Sequence, residues 1–203
     1  MKHWISLVNV PEVDQYVEIA QFAEEIGFYG VTVADHLVMP TRIEESRYPY
    51  TPDGKMWWPE DVPWPDPWIT LTALGVATKE LRLATNIYLA ALRDPFTAAR
   101  AVAAASVFTD GRVRCGVSSG WIKEEYELMG VDFHTRGRRL DETIEVMRKL
   151  WSGQSVSHRG EFFDFENGLA SPAPLEKVPV WSGGASPAAL RRAARNDGWL
   201  VSR

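Results

Sequence analysis

Six short runs rich in valine, isoleucine and leucine recur along the chain, with longer amphipathic stretches between them. The runs are WISLVN (4–9), GVTVAD (30–35), LRLATNI (81–87), RVRCGVS (112–118), VPVWSG (178–183) and GWLVS (198–202). Apolar and polar residues do not alternate strictly within them, which is typical of strands buried on both faces. The pattern therefore predicts six strands of a parallel sheet.

The stretches between the runs predict helices. In VDQYVEIAQFAEEIGF an apolar stripe with helical spacing ends at Gly27. The stripe consists of Val13, Tyr16, Val17, Ala20, Phe22, Ala23 and Ile26. Three more helices begin at an oxygen-bearing cap followed by proline, a pair that suits the first helical turn. These pairs are Asp66-Pro67, Asp94-Pro95 and Ser186-Pro187. Strands and helices therefore alternate, as in right-handed βαβ units.

Two architectures are built from this repeat, an open doubly wound sheet and a closed barrel. The first run is followed by VPEVD, which lacks the glycine-rich turn of dinucleotide folds. Barrels place reactive groups at the C-terminal ends of several strands. Small or polar residues do lie at or just after the ends of the runs here, namely Asn9, Asp35, His36, Asn86, Ser118, Ser119, Gly120, Ser182, Gly183, Gly184 and Ser202. Turn residues favour strand ends in any case, but that explains the Asp35-His36 pair less well. We predict an α/β fold, a TIM (β/α)8 barrel.

A closed barrel needs eight β/α units and typically about 250 residues, whereas six units are visible in these 203 residues. We therefore expect residues 1–203 to form a single barrel domain that is incomplete at its C-terminus. The open edge would either mark a fragment or be covered by a partner chain, since unpaired strands invite association.

Composition and charge narrow the function classes. The chain is 45% hydrophobic with a formal net charge of −5, so it has no excess of cations to neutralise the phosphates of a nucleic acid. A single cysteine, Cys115, fits a reducing cytoplasm. The stretch MKHWISLVNVPEVD lacks the apolar core expected of a signal peptide, and no run in the sequence approaches membrane-spanning length. We expect a cytoplasmic protein with no nucleic-acid or membrane partner.

Several chemistries find no support in the residue pattern. The lysines avoid the predicted strand ends, which disfavours a Schiff-base aldolase. The four histidines are scattered and form no cluster with acids at metal-ligand spacing, so we predict no metal site. GVSSG lacks the spacing of a nucleophile elbow, and Cys115 within a strand is expected to be inert core.

The stretch SGGASPAALRRAARN places Gly183 and Gly184 where a strand leads into a helix capped by Ser186. Free N–H groups and the helix dipole at such a start make an anion site. In barrels a phosphate commonly docks at a helix start late in the chain. Two interpretations stay open, a tight turn with no ligand and a phosphate-bearing cofactor lying across the strand ends.

Three stretches resemble the bacterial-luciferase-like superfamily: GVTVADHL, the segment from LRLATNIYLAALRDP through RLDETIEVMRKLW, and VPVWSGGASPAALRRAARNDGWL. Within it they are most similar to oxidoreductases that use the deazaflavin coenzyme F420. The resemblance implies a TIM barrel that holds the cofactor at the strand C-termini, a small organic substrate and a homodimer. The activity implied is hydride transfer with F420 or, alternatively, oxygen-dependent monooxygenation with FMN. A non-catalytic barrel fragment is the competing hypothesis.

The resemblance also implies roles for single residues. His36, beside Asp35, would lie near the reactive ring edge, where an imidazole can hold the ring or pass a proton. We expect both residues to be catalytic. A bulge of the third strand, often with a non-prolyl cis peptide behind the ring, matches Asn86-Ile87. The other cofactor-binding residues implied are Ser118, Ser119, Gly120, Gly183, Gly184 and Ala185.

A tryptophan- and proline-rich insertion, here called the lid, occupies about residues 41–66 between the second strand and its helix. Long loops in compact domains are usually functional or disordered. Trp57, Trp58 and Trp64 could wall a substrate pocket or merely seal the barrel mouth, and Trp121 is expected to join them. Some sugar-phosphate dehydrogenases of the family carry an acid where Trp121 stands, so we do not expect that substrate class.

Overall fold

A computed structural model describes residues 1–59 and 61–201. Its helices are α1 Tyr16–Glu25, α2 Pro67–Ala77, α3 Pro95–Phe108, α4 Lys123–Leu128, α5 Arg136–Leu150 and α6 Pro187–Arg195. Its strands are β1 Trp4–Ser6, β2 Gly30–Val33, β3 Arg82–Thr85, β4 Val113–Val117, β5 Val156–Arg159, β6 Asp164–Gly168, β7 Val180–Gly183 and β8 Gly198–Leu200. The strand end predicted at Ser202 lies outside the described residues.

Six strands form one parallel sheet in the order β1-β2-β3-β4-β7-β8. Val31 of β2 pairs with Leu83 of β3, and Cys115 of β4 pairs with Val180 of β7. All six correspond to runs predicted from the sequence, so the α/β fold with a parallel sheet is confirmed. Because the strands are parallel, their carboxyl ends share one edge of the sheet. That residues 1–203 make up one domain stays a prediction.

The sequence analysis missed an antiparallel hairpin formed by β5 and β6. Most of its side chains are exposed or half-buried, so it lacks the continuous apolar run by which buried strands are recognised. The hairpin is fixed to α5 through Glu142, whose carboxylate accepts hydrogen bonds from the backbone amides of Phe162 and Phe163. It therefore lies beside the barrel strands without joining their sheet.

The three predicted proline-led helices are confirmed as α2, α3 and α6, each with a side-chain oxygen capping a backbone amide. Asp66 accepts from the Trp68 amide (2.9 Å), Asp94 from the Thr97 amide (2.7 Å) and Ser186 from the Ala189 amide (3.2 Å). Such caps satisfy N–H groups that have no partner inside the helix. They also fix where each chain segment turns away from the carboxyl edge of the sheet.

The apolar stripe predicted for the first helix is only partly buried. Tyr16, Ala20 and Ala23 face the core, but Phe22 is 59% and Ile26 56% exposed. Val13, which precedes α1, is 36% exposed as well. Phe22 and Ile26 border an open groove that Ile5 of β1 also lines.

The core lies between the sheet and the helices packed on it. Val31 and Leu83 are completely buried. Gly75 lets α2 approach the sheet, since a Cβ there would collide with the side chains of Leu83 and Thr109. Cys115 is buried in β4, and burial raises the pKa of its thiol to about 12, as expected of an inert core cysteine. None of the helices in the described parts of the chain is long and apolar enough to cross a membrane.

Candidate active site

A cavity of about 660 Å³ opens at the carboxyl ends of β2, β3, β4 and β7, under the lid. All fourteen site residues predicted from the sequence line it. They are Asp35, His36, Trp57, Trp58, Trp64, Asn86, Ile87, Ser118, Ser119, Gly120, Trp121, Gly183, Gly184 and Ala185. Residues up to 150 positions apart in the sequence therefore share one site because their strands end at one edge.

Asp35 follows β2 and forms a bidentate ion pair with Arg93. Its Oδ2 lies 2.7 Å from Arg93 Nη1 and its Oδ1 lies 2.8 Å from Nη2, while the Leu89 amide also donates to Oδ2. Burial raises the pKa of the Asp35 carboxyl, and the Arg93 guanidinium opposes that rise. Since both oxygens already have donors, these contacts favour a positioning role over the catalytic role expected from the sequence.

His36 is held by a residue that the sequence analysis did not single out, Glu125 of α4. The His36 Nδ1 lies 2.9 Å from Glu125 Oε2. The imidazole also meets the Trp64 ring edge-to-face, with 4.8 Å between the ring centroids. The sequence does not indicate a role for Glu125 in the site, because an acidic residue in the first turn of a helix is ordinarily explained by its favourable interaction with the helix dipole. Only the fold brings α4 beside the end of β2.

Asn86 and Ile87 form the turn that follows β3, and the peptide bond between them is cis. This is the position at which the resemblance implies such a bond. The turn is bracketed by hydrogen bonds from the Asn86 amide to Val33 and from the Tyr88 amide to Gly116, both 2.7 Å. The turn thus forms part of the cavity wall between β2 and β4.

The loop after β4 is fixed by its own hydrogen bonds. The Gly120 amide donates to Ser118 Oγ at 3.1 Å, and the Tyr126 hydroxyl donates to the Ser119 carbonyl at 2.7 Å. Gly120 has a φ of 67°, which a glycine adopts at little cost. The loop therefore presents a defined backbone edge to the cavity.

The turn from β7 into α6 is shaped for close approach by a ligand. Gly184 has a φ of 103°, a conformation that side chains other than glycine rarely adopt. A Cβ on Gly183 would lie 3.0 Å from Ile87 Cγ2, so this glycine also lets β7 pack against the Asn86-Ile87 turn. Backbone amides at the start of α6 are available to an anion there.

Arg136, the first residue of α5, is a second residue that the sequence analysis missed. It lines the same cavity, its Nη1 donates to the Phe133 carbonyl at 2.8 Å, and its guanidinium lies 3.7 Å from the centre of the Phe133 ring. Its Nε is buried and has no hydrogen-bond partner among the described residues. Burial lowers the pKa of Arg136. A cation in the first turn opposes the helix dipole, and this was the available signal for a role beyond helix stability.

The base of the lid is held by Glu124, the neighbour of Glu125. Its Oε1 accepts hydrogen bonds from the backbone amides of Glu44 (2.9 Å), Glu45 (2.8 Å) and Ser46 (3.3 Å). Burial alone would raise the pKa of Glu124, but the Ser46 hydroxyl and the backbone amides lower it to about 2. One turn of α4 therefore anchors both the lid and the loop that carries His36.

The underside of the lid is a chain of aromatic rings in edge-to-face contact. Tyr48 touches Trp58 and Trp121, with centroid distances of 4.9 and 5.2 Å, and Trp58 touches Trp64 at 6.1 Å. Trp58 is 8% exposed, whereas Trp57 is 64% exposed and lies at the rim. The four tryptophans therefore share the cavity but differ in how far they close it.

A parallel sheet with a cavity of about 660 Å³ at the carboxyl ends of its strands is the arrangement typical of the active sites of TIM-barrel proteins. The chain belongs to the luciferase-like monooxygenase family, whose sequence profile matches residues 3–203. The resemblance stated from the sequence is thereby confirmed.

The chain is 37% identical over 185 residues to an uncharacterised protein of Mycobacterium tuberculosis, covering 91% of this chain and 64% of that protein. It is 30% identical over 191 residues to an F420-dependent glucose-6-phosphate dehydrogenase of Amycolatopsis mediterranei, covering 92% of this chain and 52% of the dehydrogenase. It is 27% identical over 187 residues to the oxygenase component of a flavin-dependent trigonelline monooxygenase of Acinetobacter baylyi, covering 90% of this chain and 46% of that protein. The chain thus spans less than two thirds of the length of these relatives.

Solved structures share the fold. A monooxygenase from Streptomyces bottropensis superposes with a TM-score of 0.79 at 23% identity, covering 96% of this chain and 57% of that one. An F420-dependent secondary alcohol dehydrogenase, solved with an F420-acetone adduct, superposes with a TM-score of 0.78 at 24% identity. The superposition covers 99% of this chain and 58% of the dehydrogenase. Both F420-dependent and flavin-dependent proteins therefore occur among the relatives.

Proposed function

We propose that this chain carries the cofactor site of an oxidoreductase that transfers a hydride between coenzyme F420 and a small organic substrate. The observation that carries the proposal is the convergence of His36, the Asn86-Ile87 turn and the Gly183-Gly184 turn on one cavity. These are the positions that the family resemblance assigns to the reactive edge, the ring face and the phosphate. Family membership supports an oxidoreductase, and both cofactor types occur among the relatives.

The residues of the cavity fit a phosphate-bearing cofactor. The volume of about 660 Å³ lies within the range of small-molecule sites. The Gly184 and Ala185 amides at the start of α6 and the unpartnered Nε of Arg136 would hold the phosphate. Asp35 is the sole carboxylate among the described residues that line the cavity, and Arg93 neutralises it. An anion therefore meets no unpaired negative charge there.

When bound, the deazaflavin or flavin accepts or supplies the hydride. The residues of the chain would position the ring and the substrate, hold or move a proton and exclude water. The Asn86-Ile87 turn and the loop Ser118–Gly120 would support the ring, and His36 would hold or move a proton at the substrate's oxygen. The lid would exclude water, with Trp58, Trp64 and Trp121 contacting an apolar part of the substrate. The exposed Trp57 would act at the entrance.

The alternative function is oxygen-dependent monooxygenation with FMN. The same phosphate and ring contacts would serve both cofactors, and the similarity to the oxygenase component of a flavin-dependent monooxygenase supports this alternative. The deciding experiment incubates the purified protein with F420 or FMN, removes free cofactor by desalting and records the absorbance. Retained F420 supports the proposal, retained FMN supports the alternative, and retention of neither favours a non-catalytic barrel fragment.

We also propose a homodimer, as the resemblance implies. Ile69 and Val76, seven residues apart on one side of α2, are 74% and 67% exposed, and Phe108 at the end of α3 is 66% exposed. An exposed apolar face of this kind is typical of a protein–protein contact. Light scattering coupled to size exclusion tests it, and a monomeric mass at micromolar concentration would contradict it.

A further inference from the structure

The His36–Glu125 contact is almost completely shielded from water. The Glu125 side chain is 1% exposed and the His36 side chain 9%. Glu125 is not among the described residues that line the cavity, whereas His36 is. Glu125 can therefore affect a bound substrate only through the groups that it contacts, and among these the His36 side chain lines the cavity.

The two carboxylate oxygens of Glu125 have different hydrogen-bond partners. Oε1 accepts hydrogen bonds from the backbone amides of Leu37 at 2.7 Å and Val38 at 3.4 Å. Because backbone amides can only donate, they fix the orientation of the carboxyl group and leave Oε2 facing His36 Nδ1 at 2.9 Å. These donors also compensate for the loss of water around a buried carboxylate.

We propose that Glu125 is a positioning residue that keeps His36 in the tautomer with the proton on Nδ1. This proposal rests on the oxidoreductase function proposed above. A carboxylate at Oε2 can only accept, so Nδ1 must donate. The other ring nitrogen, Nε2, makes no hydrogen bond within residues 1–59 and 61–201, and in this tautomer it carries the free lone pair. His36 thus presents a proton acceptor to the substrate.

This arrangement points to substrates that carry an alcohol or the corresponding carbonyl. When the alcohol is oxidised, its O–H proton passes to Nε2 while the hydride leaves its carbon, with the electron pair, for the oxidised cofactor, and a C=O bond forms. In the reverse direction Nε2 returns the proton to the oxygen as the carbonyl carbon receives the hydride. The imidazolium formed in the first case is stabilised by the Glu125 carboxylate.

A single substitution should invert the tautomer. In Glu125→Gln the amide oxygen must face the Leu37 and Val38 amides, since these positions require an acceptor. The amide NH₂ then faces Nδ1 and donates to it, so the ring proton moves to Nε2. The substitution keeps the size of the side chain. Glu127→Gln is the matched control, because it removes a carboxylate from the same helix at a side chain that is 59% exposed and contacts Lys123.

The test is nitrogen-15 NMR of the histidine rings in the full chain at neutral pH. Four histidines give few signals, and the spectrum of His36→Gln identifies those of His36. We expect an Nδ1-protonated ring in the wild type and in Glu127→Gln, and an Nε2-protonated ring in Glu125→Gln. An Nε2-protonated ring in the wild type, which needs no variant to fold, would overturn the proposal, as would an unchanged His36 spectrum in Glu125→Gln.

Kinetics supply the second readout. With the cofactor that the protein retains, Glu125→Gln should lose at least about 10-fold in kcat for alcohol oxidation, with KM for the alcohol changed far less. Glu127→Gln should match the wild type. If the tautomers behave as expected but the wild type turns over no alcohol or carbonyl, the proposed function fails and the assignment of Glu125 stands. If the wild type is active and Glu125→Gln retains its kcat, the role of Glu125 is wrong.

Discussion

The carboxylate of Asp35 and the guanidinium of Arg93 form a buried ion pair with both oxygens and both terminal nitrogens engaged. Their side chains are 2% and 11% exposed. The pair joins the end of β2 to the segment that precedes α3, 58 residues further along the chain. It therefore joins the loop after β2 to the segment that follows the Asn86-Ile87 turn.

Removing one partner of this pair should be costly. Arg93→Met would leave the Asp35 carboxylate buried without its counter-ion, so we expect a loss of about 3–5 kcal/mol in the free energy of unfolding. Urea denaturation monitored by circular dichroism measures it. Arg138→Met is the control, because Arg138 pairs with Glu161 at an exposed site and should matter far less. Equal losses in the two variants would contradict the importance of the buried pair.

His36→Ala should lose at least about 10-fold in turnover while remaining folded, the modest loss expected for a residue that orients or exchanges protons. Steady-state kinetics at saturating cofactor, with a thermal melt alongside, provide the measurement. His134→Ala is the control, since His134 is exposed and lies in the turn before α5. Turnover equal to that of the wild type would remove His36 from the mechanism.

Gly184→Asp should weaken cofactor binding through added bulk and negative charge at the proposed anion site. The backbone strain of a side chain at positive φ must be separated from that effect. Gly27→Asp serves this purpose, because Gly27 has a φ of 87°, has open space around it and is not among the cavity residues. We expect both variants to lose stability and only Gly184→Asp to lose at least about 10-fold in affinity by fluorescence titration. Unchanged affinity would mean that the phosphate binds elsewhere.

Protonation of Glu124 at low pH should weaken its hydrogen bonds to the backbone amides of residues 44–46 and so free the base of the lid from α4. Folding lowers the pKa of Glu124 from 4.5 to about 2, so its contribution is complete above about pH 4.5 and is lost as the pH falls towards 2. The fluorescence of the lid tryptophans, recorded from pH 6 to pH 2, should report the release. In Glu124→Gln the group cannot titrate, and that part of the fluorescence change should be absent. Superimposable curves for the two proteins would show that another group controls the lid.

The sequence by itself determined the strands, the proline-led helices and the residues that follow the strands. These features are local, because a buried strand must be apolar on both faces and a helix start needs a capping oxygen. Parallel strands then bring their carboxyl ends to one edge whatever the details of packing, which is why fourteen predicted residues share one cavity. The exposed hairpin was missed because its partly buried strands leave no clear apolar pattern.

Only the tertiary structure decided which partner each polar group has. Nothing near Asp35 in the sequence indicates Arg93, and nothing near His36 indicates Glu125, 89 residues away. Hydrogen bonds and ion pairs act over a few ångströms, so their partners are chosen by how α3 and α4 pack against the strand ends. The sequence thus predicted the residues that line the candidate site, whereas packing decided that Asp35 pairs with Arg93 and that His36 contacts Glu125.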